Sequence, residues 1–257
     1  MTGGKTMIKI LSIGNSFSQD ATRYLYALAR KEGVDMRVIN LYIGGCPLSR
    51  HYSNMLSEDR EYDFELNGAS SGIKVSLKDA LLAEKCDGWD FITLQQVSSK
   101  SFDYETYQPY LSRLAEYVRT YSPKAKLFMH QTWSYAQDSP RLTQELGYKK
   151  QEDMFSDVKS AYQKAASDIG AGIIPCGETM QNLIKCGKKV HRDGFHADLG
   201  YARFALSATW FETLTGLSAE KTAFDDFDKP VTVEEQKLAK EAAHAAVSSY
   251  QPNRGII

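Results

Sequence analysis

The chain has 257 residues, 31 Lys and Arg against 32 Asp and Glu, a formal net charge of −1 and 42% hydrophobic residues. That balance excludes the basic stripe of a nucleic-acid binder, and no apolar run approaches the ~20 residues of a membrane-spanning helix. The size suits one α/β domain over residues 1–257. The opening segment Met1-Thr2-Gly3-Gly4-Lys5-Thr6 has no apolar leader core, so the expected location is the cytoplasm unless a leader has been trimmed.

In chain order, residues 7–13 read as a buried strand running into Gly14. Residues 20–31 read as a helix with Tyr24, Leu25, Leu28 and Ala29 at helical spacing. A second strand spans 36–42. Residues 60–75, with alternating Tyr62, Phe64 and Leu66, then Asn67-Gly68, then Ile73 and Val75, predict an inserted β-hairpin. Strand 90–95 precedes a helix over 104–121, and strand 126–132 precedes a polar stretch at 133–150. That stretch, with Pro140 and Gly147, is long enough for a lid or binding loop. A helix at 151–169, a strand at 172–175 and helices at 200–215 and 232–250 complete the chain. Short strands that are apolar almost throughout, alternating with amphipathic helices, predict a three-layer α/β/α sandwich. Its sheet is expected to have five mostly parallel strands.

In such sheets ligands gather at the carboxyl ends of the strands. Ser16 lies there, just past Gly14 and at the start of a helix whose positive end points to the same place. The plainer reading is that Asn15, Ser16 or Ser18 only caps the helix. Asp193 and His196, three residues apart, supply a carboxylate and an imidazole far downstream. A serine hydroxyl needs a base and a group that orients the base, and the order Ser…Asp…His supplies all three. A hydrolase is the expectation.

These segments resemble the blocks of the SGNH (GDSL-like) hydrolases. Gly14-Asn15-Ser16-Phe17-Ser18 is similar to the first block, with Asn15 where Asp is more usual, and Ile43-Gly44-Gly45-Cys46-Pro47 resembles the glycine block. Asp193-Gly194-Phe195-His196, followed by Gly200-Tyr201, resembles the last. The third block departs: Leu94-Gln95-Gln96-Val97-Ser98 stands where the family has Gly-x-Asn-Asp, and is closer to carbohydrate O-acetylesterase branches. The resemblance implies the flavodoxin-like fold of that superfamily and a Ser16–His196–Asp193 triad. It also implies an oxyanion hole of the Ser16 and Gly45 N–H groups with a glutamine side chain, Gln95 in preference to Gln96. Neither a cofactor nor a metal is implied, and His191 and Asp198 beside the triad pair fit no common zinc spacing.

The implied substrate is a small acyl ester, acetyl on a carbohydrate. Asn15, Gln96, Gln131, Trp133 and Tyr135 are the candidate substrate contacts, and Arg50 and His51 also lie in a loop near the pocket. The expected partner is a small-molecule or oligosaccharide ester, with no nucleic acid and no membrane, and the oligomeric state stays open. Rival readings are a short-chain carboxylesterase or thioesterase, and a binding protein on the same scaffold with a decayed site. A flavin or nucleotide binder would need a Gly-rich phosphate cradle that the first loop lacks. The four cysteines (Cys46, Cys86, Cys176, Cys186) form no C-x-x-C pair, and free thiols are expected.

Overall fold

The apolar run that opens the chain is buried on both faces as β1 (Ile8–Gly14), with Ile10, Leu11 and Ile13 at 0% exposure. A computed structural model describes residues 7–84 and 88–250; Cys86 and the chain ends lie outside them. The remaining strands are β2 (Met36–Tyr42), β3 (Tyr62–Leu66), β4 (Ala69–Val75), β5 (Phe91–Leu94), β6 (Lys126–His130) and β7 (Gly172–Ile174). All seven form one sheet in the order β4-β3-β2-β1-β5-β6-β7. β2, β1, β5, β6 and β7 run parallel, so their carboxyl ends share one edge.

The expected five-stranded sheet therefore has seven strands. The predicted hairpin forms, turning through Asn67 and Gly68 at positive φ. Instead of standing apart, it pairs antiparallel along the free edge of β2, with Ile39 opposite Leu66 and Tyr42 opposite Asp63. Open N–H and C=O groups on that edge are satisfied by the added strands.

The helices are α1 (Ser16–Thr22), α2 (Leu25–Lys31), α3 (Leu48–Ser57), α4 (Leu77–Leu81), α5 (Tyr110–Tyr121), α6 (Gln151–Asp168), α7 (Cys176–Lys185), α8 (Tyr201–Thr215) and α9 (Val233–Tyr250). α8 is buried over nearly its whole circumference because α1, α2, α7 and α9 pack around it. The predicted helix over 20–31 is two helices, and the first begins four residues earlier, at Ser16 itself. The predicted helix over 104–121 is a single 3-10 turn followed by α5, with Pro109 at the α5 N-cap. A proline deeper inside a helix would remove a backbone bond and clash with the preceding turn. α3, α4 and α7 were not foreseen; they follow loop-like or strand-like segments and are short. Among the described residues no helix is long and apolar enough to cross a membrane.

Candidate active site

β1 delivers the chain to α1 through Gly14-Asn15. A Cβ at Gly14 would lie 2.2 Å from Ser18 Oγ and 3.0 Å from Gln95 Oε1, so only glycine fits the turn. Asn15 is the N-cap: its Oδ1 accepts from Phe17 N at 3.0 Å, while Ser18 Oγ accepts from Asn15 N at 3.1 Å. This reciprocal capping box satisfies the helix start without Ser16. Ser16 occupies the first helical position, half-buried, with its hydroxyl left for other partners.

That partner comes from the loop before α8. His196 Nε2 faces Ser16 Oγ at 2.8 Å, and His196 Nδ1 faces Asp193 Oδ2 at 2.7 Å. The second carboxylate oxygen of Asp193 accepts from the backbone N–H groups of His196 at 2.8 Å and Phe195 at 3.3 Å. Partial burial alone would raise the Asp193 carboxyl, but the hydrogen bonds from the His196 ring and backbone outweigh it and hold the pKa below the usual value. Gly194 makes the tight turn between the two residues at φ +90°. Trp133 Nε1 donates to the Phe195 carbonyl at 2.8 Å, with its ring stacked on Phe17 at 4.2 Å. The base of the loop is gripped by the fully buried Asp20 of α1.

The glycine block forms a turn in which Cys46 N donates to Ile43 O at 3.2 Å, with Gly45 exposed at φ +60°. Asn15 Nδ2 donates to the Cys46 carbonyl at 3.1 Å, tying this turn to the Ser16 turn. Cys46 itself is buried, and desolvation pushes its thiol up to about 12, far from a reactive thiolate. Gln95 does not present a free amide to the site. Its Nε2 donates to Asn15 Oδ1 at 2.7 Å, its Oε1 accepts from His130 Nδ1 at 2.6 Å, and the residue is 1% exposed. The expected third oxyanion donor is thus a brace beneath Asn15. Burial lowers the pKa of His130 to about 3, keeping its ring neutral.

The sequence pattern of DUF4886, a domain of unknown function, matches residues 9–246. The chain belongs to the DUF4886 family. It is 34% identical to a DUF4886 family protein from Bacteroides uniformis of known crystal structure, with a TM-score of 0.87 over 97% of both chains. A protein described as a GDSL-like lipase from Parabacteroides merdae shares the architecture at 13% identity and a TM-score of 0.56, over 81% of this chain and 95% of that one. The acetyl xylan esterase AlAXEase does so at 14% identity and 0.54, over 79% and 98%. The fold is that of the SGNH (GDSL-like) hydrolases. A shorter match, 28% identical over 108 residues, links 37% of the chain to 78% of an iron sulfur cluster assembly protein 1 from Trachipleistophora hominis. Among the described residues no group of three or more His, Cys, Asp or Glu side chains could hold a metal ion.

In this DUF4886 chain the five expected substrate contacts are all buried, and their polar atoms are committed within the fold. Asn15 is the cap described above. Gln96 accepts from Leu48 N and donates to Thr106, fixing the start of α3 to the 3-10 turn. Gln131 donates to Tyr250 and accepts from Glu178 N, anchoring α9 and α7. Trp133 braces the histidine loop, and the Tyr135 hydroxyl meets Ser98 Oγ at 3.1 Å. A polar or aromatic residue after a strand looks like a ligand contact in sequence, but here partners from other parts of the chain have taken its hydrogen bonds. His51 is buried against Tyr62, Arg50 faces Glu61 at the surface, and the His191 ring is held by the Ser134 carbonyl. His130, within the strand predicted over 126–132 and expected as a core histidine, is buried at the end of β6 against Gln95. Asp20 was missed. Asp20 falls on the apolar stripe Phe17–Ala21–Tyr24, and a carboxylate on such a stripe is the signal that was available.

Proposed function

We propose that this DUF4886 protein is a serine hydrolase of esters, acting through Ser16, His196 and Asp193 on a small acyl group, acetyl, carried by a carbohydrate. The observation that carries the reading is the unbroken line Ser16 Oγ–His196 Nε2 at 2.8 Å and His196 Nδ1–Asp193 Oδ2 at 2.7 Å, from a serine that no helix cap engages. With Nδ1–H given to Asp193, Nε2 holds the lone pair that a general base requires. Ser16 Oγ forms a bond to the ester carbonyl carbon as its proton passes to His196 Nε2. The negative oxygen meets the N–H groups of Ser16 and Gly45, each such donor being worth ~3 kcal/mol in a dry, preorganised site. His196 then gives the proton to the alcohol oxygen as the C–O bond breaks, leaving acyl-Ser16. Water repeats the sequence, losing its proton to His196 and releasing the acid as Ser16 regains its hydrogen.

The acetyl-carbohydrate part draws support from the acetyl xylan esterase among the fold neighbours. Trp133 and Tyr135 lend it none, since both are buried. Acetate release from acetylated xylo-oligosaccharides, set against p-nitrophenyl esters of increasing acyl length, tests the substrate class. Preference for long acyl chains would instead favour the lipase or thioesterase reading. Ser16→Ala should lower kcat by about 10⁴-fold or more and abolish fluorophosphonate labelling, with the fold intact. Near-normal turnover by that variant, or a wild-type protein that resists the label, would overturn the esterase reading and leave a binding protein.

A further inference from the structure

We infer that Asp20 is the positioning residue of the His196 loop, holding the imidazole on Ser16 by clamping both ends of that loop to the helix that carries the serine. The inference rests on the proposed role of Ser16 and His196. Asp20 is 0% exposed, and its two oxygens accept from groups between residues 192 and 203. Arg192 Nη1 lies 2.9 Å from both oxygens, and Ala197 N donates to Oδ2 at 3.1 Å. Arg203, on α8, reaches Oδ1 through Nε at 2.8 Å and Nη2 at 2.7 Å.

Arg192 and Ala197 bracket the turn that carries Asp193 and His196. The bracket closes on itself: Arg192 N donates to His196 O at 2.9 Å, Arg192 Nη1 also reaches the Ala197 carbonyl, and His191 bridges Ala197 across the base. Asp20 stands one helical turn below Ser16, about 6 Å along the axis of α1. Serine and histidine are therefore referred to one rigid element instead of to two loops. A buried carboxylate between guanidinium groups is a poor choice for stability alone, because desolvation consumes most of its Coulomb energy. What such a group supplies is a single geometry. Small errors in placing a base relative to a nucleophile cost heavily in rate.

The network also has an outer arm, in which Arg203 Nη1 meets Asp228 Oδ2 at 2.9 Å and Asp228 pairs with Arg23. That arm supplies a control that perturbs the same cluster without touching the loop. The experiment measures kcat and KM on p-nitrophenyl acetate, melting temperature, and the downfield proton resonance of His196 Nδ1–H for Asp20→Asn, Arg192→Ala and Asp228→Asn. The expected result is a loss of kcat of about 10- to 100-fold for Asp20→Asn, with KM within about twofold and the resonance broadened or lost. Arg192→Ala, at a partly exposed loop base, should behave alike and stands in if Asp20→Asn does not fold. Asp228→Asn should lower the melting temperature with kcat and the resonance unchanged. Retention of kcat and resonance by both loop variants, or an equal loss of kcat in Asp228→Asn, would overturn the inference. If the wild type hydrolyses no ester, the proposed function fails, and the resonance alone still judges whether Asp20 orders the loop.

Discussion

Replacing Gln95 with alanine separates its two readings, oxyanion donor and buried brace. The side chain spans Asn15 Oδ1 at 2.7 Å and His130 Nδ1 at 2.6 Å, and both partners are buried. Asn15 keeps Phe17 N and the Cys46 carbonyl, so the cap survives. His130 fares worse. Its Nε2 already has no partner, and the variant strands Nδ1–H as well. An unsatisfied buried group costs about 1–3 kcal/mol, and the vacated side-chain volume adds to it, so ~3 kcal/mol is the expected loss. For a chain of this size that lowers the melting temperature by roughly 6–12 °C. Turnover should fall less than about tenfold, because only a slight shift of the Ser16 turn is transmitted, and tenfold already corresponds to ~1.4 kcal/mol. Paired calorimetry and steady-state kinetics on the purified variant give both numbers. A melting temperature within about 2 °C of wild type, with kcat down 100-fold or more, would refute the brace and return Gln95 to the oxyanion hole.

Two further outcomes are expected. Asp193→Asn should keep the Oδ1 contacts to the loop backbone yet favour the wrong imidazole tautomer, cutting kcat by about 10⁴-fold with KM little changed; a kcat within tenfold of wild type would remove Asp193 from the mechanism. Acid should destabilise the fold through three histidines, because burial lowers His51 and His130 to about 3 and His191 to about 4. Below the ~6.5 of an unfolded-chain imidazole the denatured state takes up protons that the native state refuses, so this contribution is complete above that pH and is lost as pH falls, through about 4 for His191 and about 3 for His51 and His130. At pH 5 each histidine accounts for about 2 kcal/mol. A urea midpoint that is the same at pH 7 and pH 5 would contradict this.

Much of the architecture was legible because its signals are local. A parallel strand covered on both faces is apolar throughout, so β1, β2, β5, β6 and β7 could be read from short runs, and Asn67-Gly68 announced the hairpin by its turn chemistry. Where the hairpin goes is not local. Its pairing with β2 depends on which sheet edge lies open once the parallel strands are ordered, and that follows from the crossovers. The helix start at Ser16 was displaced for a similar reason. Reading the apolar period placed the helix at Asp20, whereas the Asn15–Ser18 capping box begins it at Ser16.

Ser16, His196 and Asp193, which the fold brings into one hydrogen-bonded line, were named from the sequence because a serine at a strand-to-helix turn and an Asp-x-x-His pair each keep their geometry within a few residues. The sequence by itself determined those residue types, their order along the chain and the sheet edge to which they belong. Only the tertiary structure decided which polar groups near that edge are free. Gln95, Gln96, Gln131, Trp133 and Tyr135 have the chemistry of ligand contacts, but partners 10 to 119 positions away have already taken their hydrogen bonds. Asp20 makes the same point from the other direction. Its partners Arg192 and Arg203 lie 172 and 183 positions downstream, and their approach turns an ordinary helix carboxylate into the clamp of the His196 loop. Hydrogen-bond satisfaction in a buried site is a property of the whole enclosure, set by whichever segments fold over it, and no window of the chain contains that information.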